Sequence, residues 1–145
     1  MANEAPQNLA NHTRWDPLFH FFLIPVFVIN VIGYAVVLFR RPNIHQAWLL
    51  VVAIALLIFV FKMRLYSLKV QTRVIRLEER LRLSTLLAEP LRSRIGELSE
   101  SQLVALRFAS DAEIPALVGE TLNRNLSNAE IKKAITSWRA DWWRV

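Results

Sequence analysis

Two apolar runs dominate what this chain can fold into. Residues 17–39, PLFHFFLIPVFVINVIGYAVVLF, and residues 45–61, HQAWLLVVAIALLIFVF, carry no formally charged side chain. A helix needs roughly 20 mostly apolar residues to cross a hydrocarbon core. The first run has that length. The second reaches it once Met63 and Leu65 are counted and the stem of Lys62 snorkels along apolar surroundings. The competing fate is a pair of core helices in a soluble domain. A chain of 145 residues lacks the material to cover two helices that are apolar on every side. The joining segment RRPNIH, residues 40–45, is short enough for a helical hairpin, with Pro42 ending one helix or starting the next. A cleaved signal peptide is disfavoured, since no basic segment precedes the first run and no small-x-small site follows it.

The charge distribution agrees. Residues 1–88 hold ten Lys and Arg against four Asp and Glu, whereas residues 89–145 hold eight of each, so the whole net charge of +6 lies with the apolar half. That placement points to a membrane surface before nucleic acid. Seven Lys and Arg stand between Lys62 and Arg82, against only Glu78 and Glu79, while the joining segment offers Arg40 and Arg41. The positive-inside rule puts the long C-terminal part in the cytoplasm, and two spans return the N-terminus to the same side. Trp15 and Tyr66 then fall at the inner interface, and Trp48 and Tyr34 near the outer one, as interfacial anchors.

From Asn43 to Glu89 there is neither glycine nor proline, so the second span is expected to continue as one long helix. Lys62, Lys69, Arg73, Arg76 and Arg80 share a face of that helix, with steps of seven, four, three and four. Beside them Val70, Val74, Leu77 and Leu81 form a narrow apolar stripe with four-three-four spacing, the pattern of a short coiled-coil seam or a docking face. The basic face reads either as a solvated topology signal or as a contact for anionic headgroups or a protein partner. A helix lying along the membrane gives the stripe to lipid; a projecting one gives it to the tail helices or a second protomer. The expected organisation is a cytoplasmic segment 1–16, a two-span hairpin 17–64 (spans 17–39 and 45–64, loop 40–44), an amphipathic extension 65–88 and a helical tail 89–145. The fold class is all-α.

Repeated start signals divide the tail. SESQ (99–102), SDAE (110–113) and SNAE (127–130) each fit a capping box, in which a serine and the residue three on satisfy each other's backbone donors. Pro90 suits the first turn of a further helix that Gly96 closes, and Pro115 is tolerable only near a helix start. Leu98, Leu103, Leu106, Ile114, Leu117, Val118, Leu122, Ile131 and Ile135 are the expected core. A helix-turn-helix DNA reader is rejected, because the tail is charge-neutral and no helix concentrates basic residues on one face. Trp138 and Trp142 fall on one face of a final helix, either packing a terminus or anchoring to the inner leaflet.

Candidate chemistry is sparse. There is no cysteine, which excludes disulfides, thiolate metal sites and a cysteine nucleophile. With three glycines in all there is no Gly-rich phosphate cradle. In the expected topology His45 lies outside while His12 and His20 lie near the inner face, so the three cannot share a metal. A pairing of histidine with Asp16 lacks the spacing of a known site. No catalytic, cofactor or metal residue is assigned, and the chain is read as no enzyme. Asn30 stands near mid-membrane, where an amide seeks a partner, either on the second span or on another protein. Pro25 is expected to bend the first span.

The stretches KVQTRVIRLEERLRL (69–83) and LVALRFASDAEIPALV (103–118), with the opening NHTRWDPLFHFFLIP (11–25), resemble an uncharacterised bacterial family of small two-span inner-membrane proteins, one of the domain-of-unknown-function families. The resemblance implies a bacterial inner membrane and no catalytic residue. The expectation is an inner-membrane protein with both termini cytoplasmic that binds or scaffolds protein, whether a different partner or itself. The alternative is an anionic-lipid-surface binder or sensor.

Overall fold

The computed structural model describes residues 8, 9 and 15–141. The chain divides into two compact units, one of Trp15–Lys69 and one that begins at Val70.

The first unit opens on Asp16, whose carboxylate accepts the Phe19 N–H at 3.1 Å. Residues Leu18–Leu23 wind as a π-helix, and Ile24 donates its N–H to the Phe19 carbonyl, five residues back. This is how the run accommodates Pro25. Proline lacks an N–H and its ring would strike the carbonyl four residues back in a regular helix, so the wider turn relieves a conflict that was expected to appear as a bend. Regular helix α1 follows at Ile24–Arg40, with Pro25 in its first turn. After Pro42, the Asn43 side chain accepts the Gln46 N–H at 2.9 Å and caps helix α2, Ile44–Leu86. The ring of Phe19 stands edge-on to Phe61 at 6.2 Å. The Arg64 guanidinium lies 5.4 Å from the Phe19 ring and 3.4 Å from Asp16 Oδ2. The start of the first helical run therefore meets residues 61–64 of α2, and the two form an antiparallel pair. Apart from Ala53, no apolar side chain of this unit is buried among the described residues, and Phe21, Phe39, Ile44 and Trp48 are widely exposed. Leu18–Arg40 and Ile44–Leu86 are both long and apolar enough to cross a membrane.

The second unit is a small all-helical domain built on the last turns of α2. Ser84 and Thr85 donate their hydroxyls to the carbonyls of Leu81 and Arg82, and the Arg92 Nε donates to the Leu87 carbonyl at 2.8 Å, so the helix end is satisfied before Pro90 stops it. Residues 89–94 then form turns leading to a 3-10 turn at Ile95–Glu97. The α-helix expected from Pro90 to Gly96 is absent. Leu98 and Glu97 bond three residues back, and the segment instead curls so that Leu91 and Ile95 reach the core. Helices α3 (Glu100–Leu106), α4 (Ile114–Arg124) and α5 (Asn128–Ala134) complete the fold. Ser99 with Gln102 and Ser127 with Glu130 make full capping boxes. Gln102 is buried and also donates to the Leu126 carbonyl at 2.9 Å, joining the start of α3 to the α4–α5 turn.

The third expected box does not form. Ser110 begins a turn, and α4 starts four residues later with Pro115 in its first turn. A helix capped at Ser110 would place Pro115 in its interior, where it costs about 3 kcal/mol. Glu113 is thereby freed for another task. Its Oε1 accepts the backbone N–H groups of Thr136 and Ser137, each at 3.0 Å, and the Thr136 hydroxyl. That clamp holds the chain after α5 in extended form, where Ala109 and Trp138 pair as an isolated antiparallel bridge. Trp138 is therefore not helical as expected; its ring packs 5.1 Å from Phe108. Trp142 lies outside the described residues. All nine expected core residues are in the core or packed against it, joined by Leu83, Leu87, Phe108 and Leu126.

Burial raises the Glu113 carboxyl, but the hydrogen bonds from Thr136, Ser137 and Ser110 outweigh it and hold the group below the usual range. A depressed carboxylate stabilises the fold above its unfolded pKa, and that contribution fades as pH falls through the folded value. Glu113→Ala should cost about 1–2 kcal/mol and open the 136–141 segment to protease at neutral pH. The unmodified chain should show the same cleavage only under acid conditions, as read by limited proteolysis.

Candidate functional site

From Val70 to its end at Leu86, and on to Leu87 just beyond, helix α2 presents two different faces. On one, Ile75, Glu79, Arg82, Leu83, Leu86 and Leu87 are buried or half-buried beneath the tail. On the other, Val70, Val74, Leu77 and Leu81 are 62%, 48%, 62% and 61% exposed. The tail does not cover the stripe; it occupies the opposite side.

The five basic residues separate as well. Lys62, Lys69, Arg73 and Arg80 are exposed, and Lys62 Nζ stands 5.9 Å from the Tyr66 ring. Arg76 is half-buried, pairs with Glu100 at the start of α3, and donates to the Thr72 carbonyl at 3.3 Å. Arg73, Arg76 and Arg80 together with Leu77 and Glu100 line an open groove of about 320 Å³. With Arg76 neutralised by Glu100, the groove retains the charges of Arg73 and Arg80, neither of which forms an ion pair among the described residues.

Sequence reasoning missed a second cluster. Glu79, counted as a mere offset to the basic run, is 4% exposed. It accepts from Arg82 at 3.0 Å and faces Arg139 at 3.6 Å. Arg82, counted as a surface charge, also donates to Asp111 and to the Ala109 carbonyl at 2.7 Å. Arg107 is buried, donates to Asp141 at 3.0 Å and to the Val104 carbonyl, and stacks 4.1 Å from the Phe108 ring. Ile75, Glu79, Arg82, Arg107, Arg139 and Asp141, with the exposed Glu78 beside them, line a cavity of about 480 Å³. Desolvation raises the Glu79 carboxyl above its ordinary value despite the opposing fields of Arg82, Arg139 and Arg107. The available signal was helical phase, since Glu79 and Arg82 share the face of Leu83 and Leu86.

The remaining expected residues stay apart. Asn30 is exposed and donates to the Val26 carbonyl of its own helix at 2.9 Å, so among the described residues it reaches no second-span partner. Trp15, Trp48 and Tyr66 are exposed. Trp15 lies 4.9 Å edge-on to His20, whose Nδ1 approaches the Asp16 carbonyl at 2.8 Å. His12 lies outside the described residues. Among the described residues no three His, Asp or Glu side chains gather as a metal site.

Residues 1–145 match a family model described as a family of unknown function, DUF6526. The chain belongs to that family. No curated protein and no solved structure matches it. In this DUF6526 member the chemistry at hand is thus electrostatic and apolar. It comprises a satisfied buried ion cluster and, on the opposite side of α2, an uncovered stripe flanked by arginine.

The two members of the buried pair should respond differently to truncation. Arg82→Ala strands a buried carboxylate and should cost about 3 kcal/mol or more. Glu79→Gln should cost less, because an amide needs no countercharge. A carboxyl with a raised folded pKa favours the fold when protonated, and that contribution is lost as pH rises through the raised value. Amide exchange at Leu83 and Leu87 in the full chain should therefore slow, after correction for intrinsic rates, as pH drops from neutral toward about 4.3, the ordinary Glu value. Glu79→Gln should abolish that gain.

Proposed function

We propose that this chain is a non-enzymatic protein of a bacterial inner membrane that serves as an interaction or scaffold subunit. In this reading the antiparallel pair spans the bilayer, the turn at 41–43 faces outside, and the C-terminal domain stands in the cytoplasm. The observation that carries the reading is a contrast within one chain. The second unit buries its leucines and isoleucines in an ordinary core, whereas Phe21, Phe39, Ile44, Trp48 and their neighbours remain exposed along both long helices. A fully exposed Leu, Ile or Phe forgoes about 1.5–3 kcal/mol of burial in water, so this many demand an apolar surrounding. The excess of Lys and Arg after residue 61 sets the orientation.

The stripe on α2 supports the scaffold role, because the domain's own helices leave it free. A second reading, an anionic-lipid-surface binder, is favoured by the exposed Lys69, Arg73 and Arg80, each worth about 1 kcal/mol when close to anionic headgroups.

The chain has no cysteine, so introduced ones label uniquely. In spheroplasts an impermeant maleimide should label Arg41→Cys without lysis and Ala129→Cys only after lysis, and the protein should resist carbonate extraction. Labelling of Ala129→Cys on intact spheroplasts would overturn the orientation, and release by carbonate would overturn the membrane assignment.

A further inference from the structure

We infer that the uncovered face of α2 pairs with the same face of a second copy of this chain, as a short parallel coiled coil. The inference rests on the membrane reading above, which gives both copies one orientation. The four-three-four spacing assigns Val70 and Leu77 to the d positions of a heptad and Val74 and Leu81 to the a positions. The same frame puts Ile75 and Arg82 at b, Arg76 and Leu83 at c, and Glu79 and Leu86 at f. Those are the positions that the tail buries or half-buries. What remains exposed is the set a pairing helix uses: the apolar a and d residues, with Arg73 and Arg80 at g and Glu78 at e. The domain has filled the outer face of the heptad and left the inner one open.

Charge identifies the occupant. In a parallel pair a g residue faces the e residue five positions on in the other helix. Arg73 of one copy then meets Glu78 of the second, and two-fold symmetry makes that contact twice. Within the chain both side chains are exposed, and neither forms an ion pair among the described residues. Val74 at a followed by Leu77 at d is the choice that favours two strands, while Val70 at d and Leu81 at a reverse it, so the oligomer number rests on the charge pairing. The seam ends at Ser84, which takes the next d position, so it covers under two full heptads. That length is insufficient for free helices in water. Confinement of both copies in one membrane removes most of the cost of encounter and makes a short seam adequate.

Oxidative cross-linking of single-cysteine full-length chains in native membranes tests the pairing. Val70→Cys, Val74→Cys, Leu77→Cys and Leu81→Cys should form disulfide-linked dimers readily, and Thr72→Cys, at an outward f position, should form few. In a Val74→Cys background Arg73→Glu or Glu78→Arg alone should lower the dimer yield about fivefold through like-charge contacts. The double exchange should restore it, an outcome that misfolding or a lipid contact would not produce. A cross-linking pattern without this periodicity, or a double variant no better than the singles, would overturn the pairing. If that occurs in chains that still resist carbonate, the pairing falls and the membrane reading stands. Release by carbonate removes both.

Discussion

One guanidinium organises the C-terminal domain. Arg82 projects from α2 toward the tail, where it meets a carboxylate of its own helix, Glu79, a carboxylate after α3, Asp111, and the carbonyl of Ala109. A half-buried arginine whose planar guanidinium donates from all three nitrogens tolerates little rotation, so it fixes which side of α2 the tail can occupy. Leu83 and Leu87 lie on that side and enter the core, and the carbonyl taken from Ala109 places the bridge with Trp138. Glu79 is costly to bury, as its raised carboxyl shows, and it is held because three arginines surround it. The ion cluster therefore contributes specificity of docking more than net stability, which comes from the leucines.

The first unit follows a different rule. Its side chains leave apolar surface uncovered along the length of both long helices. Polar and aromatic contacts at Asp16, Phe19, Phe61 and Arg64 tie the antiparallel pair together. Those contacts sit at one end of the pair, where a carboxylate and a guanidinium could remain near water. Between the ends, the small side chain of Ala53 is the one apolar group of this unit that is buried among the described residues.

Much of this was legible in the sequence, and the reasons differ by element. The two apolar runs, the uninterrupted α2 and two of three capping boxes are local patterns, and each is realised at its expected place. The nine expected core residues were found because amphipathic helices mark their own inner faces. The failures are cases where one local signal met a stronger one. SDAE has a capping-box pattern, but Pro115 two residues later forces the helix to start afterwards. The tryptophan pair has helical spacing, yet Glu113 captures the backbone at Thr136 and Ser137 first, a partner 23 residues away that no local window contains. The inward turn of Glu79 and Arg82 was hidden by treating charge as a count. Counting is adequate for topology and blind to helical phase.

Phase is also what sorts the arginines of α2 into two kinds. Arg76 and Arg82 stand six residues apart on the side facing the tail, and each finds a carboxylate there, Glu100 and Asp111. Arg73 and Arg80 stand seven apart, return to the same side after two turns, and find none among the described residues. A helix whose only task was to carry a positive charge beside a membrane would gain nothing from that segregation, since the positive-inside effect depends on number and proximity. On the pairing proposed above, one side is committed to the domain and the other is kept for the second copy, which accounts for the segregation. The apolar stripe obeys the same division, whereas Glu78 is exposed yet lines the same cavity as its buried neighbour Glu79. Adjacent residues of one chemical type thus differ in burial, because 100° of helical rotation separates them.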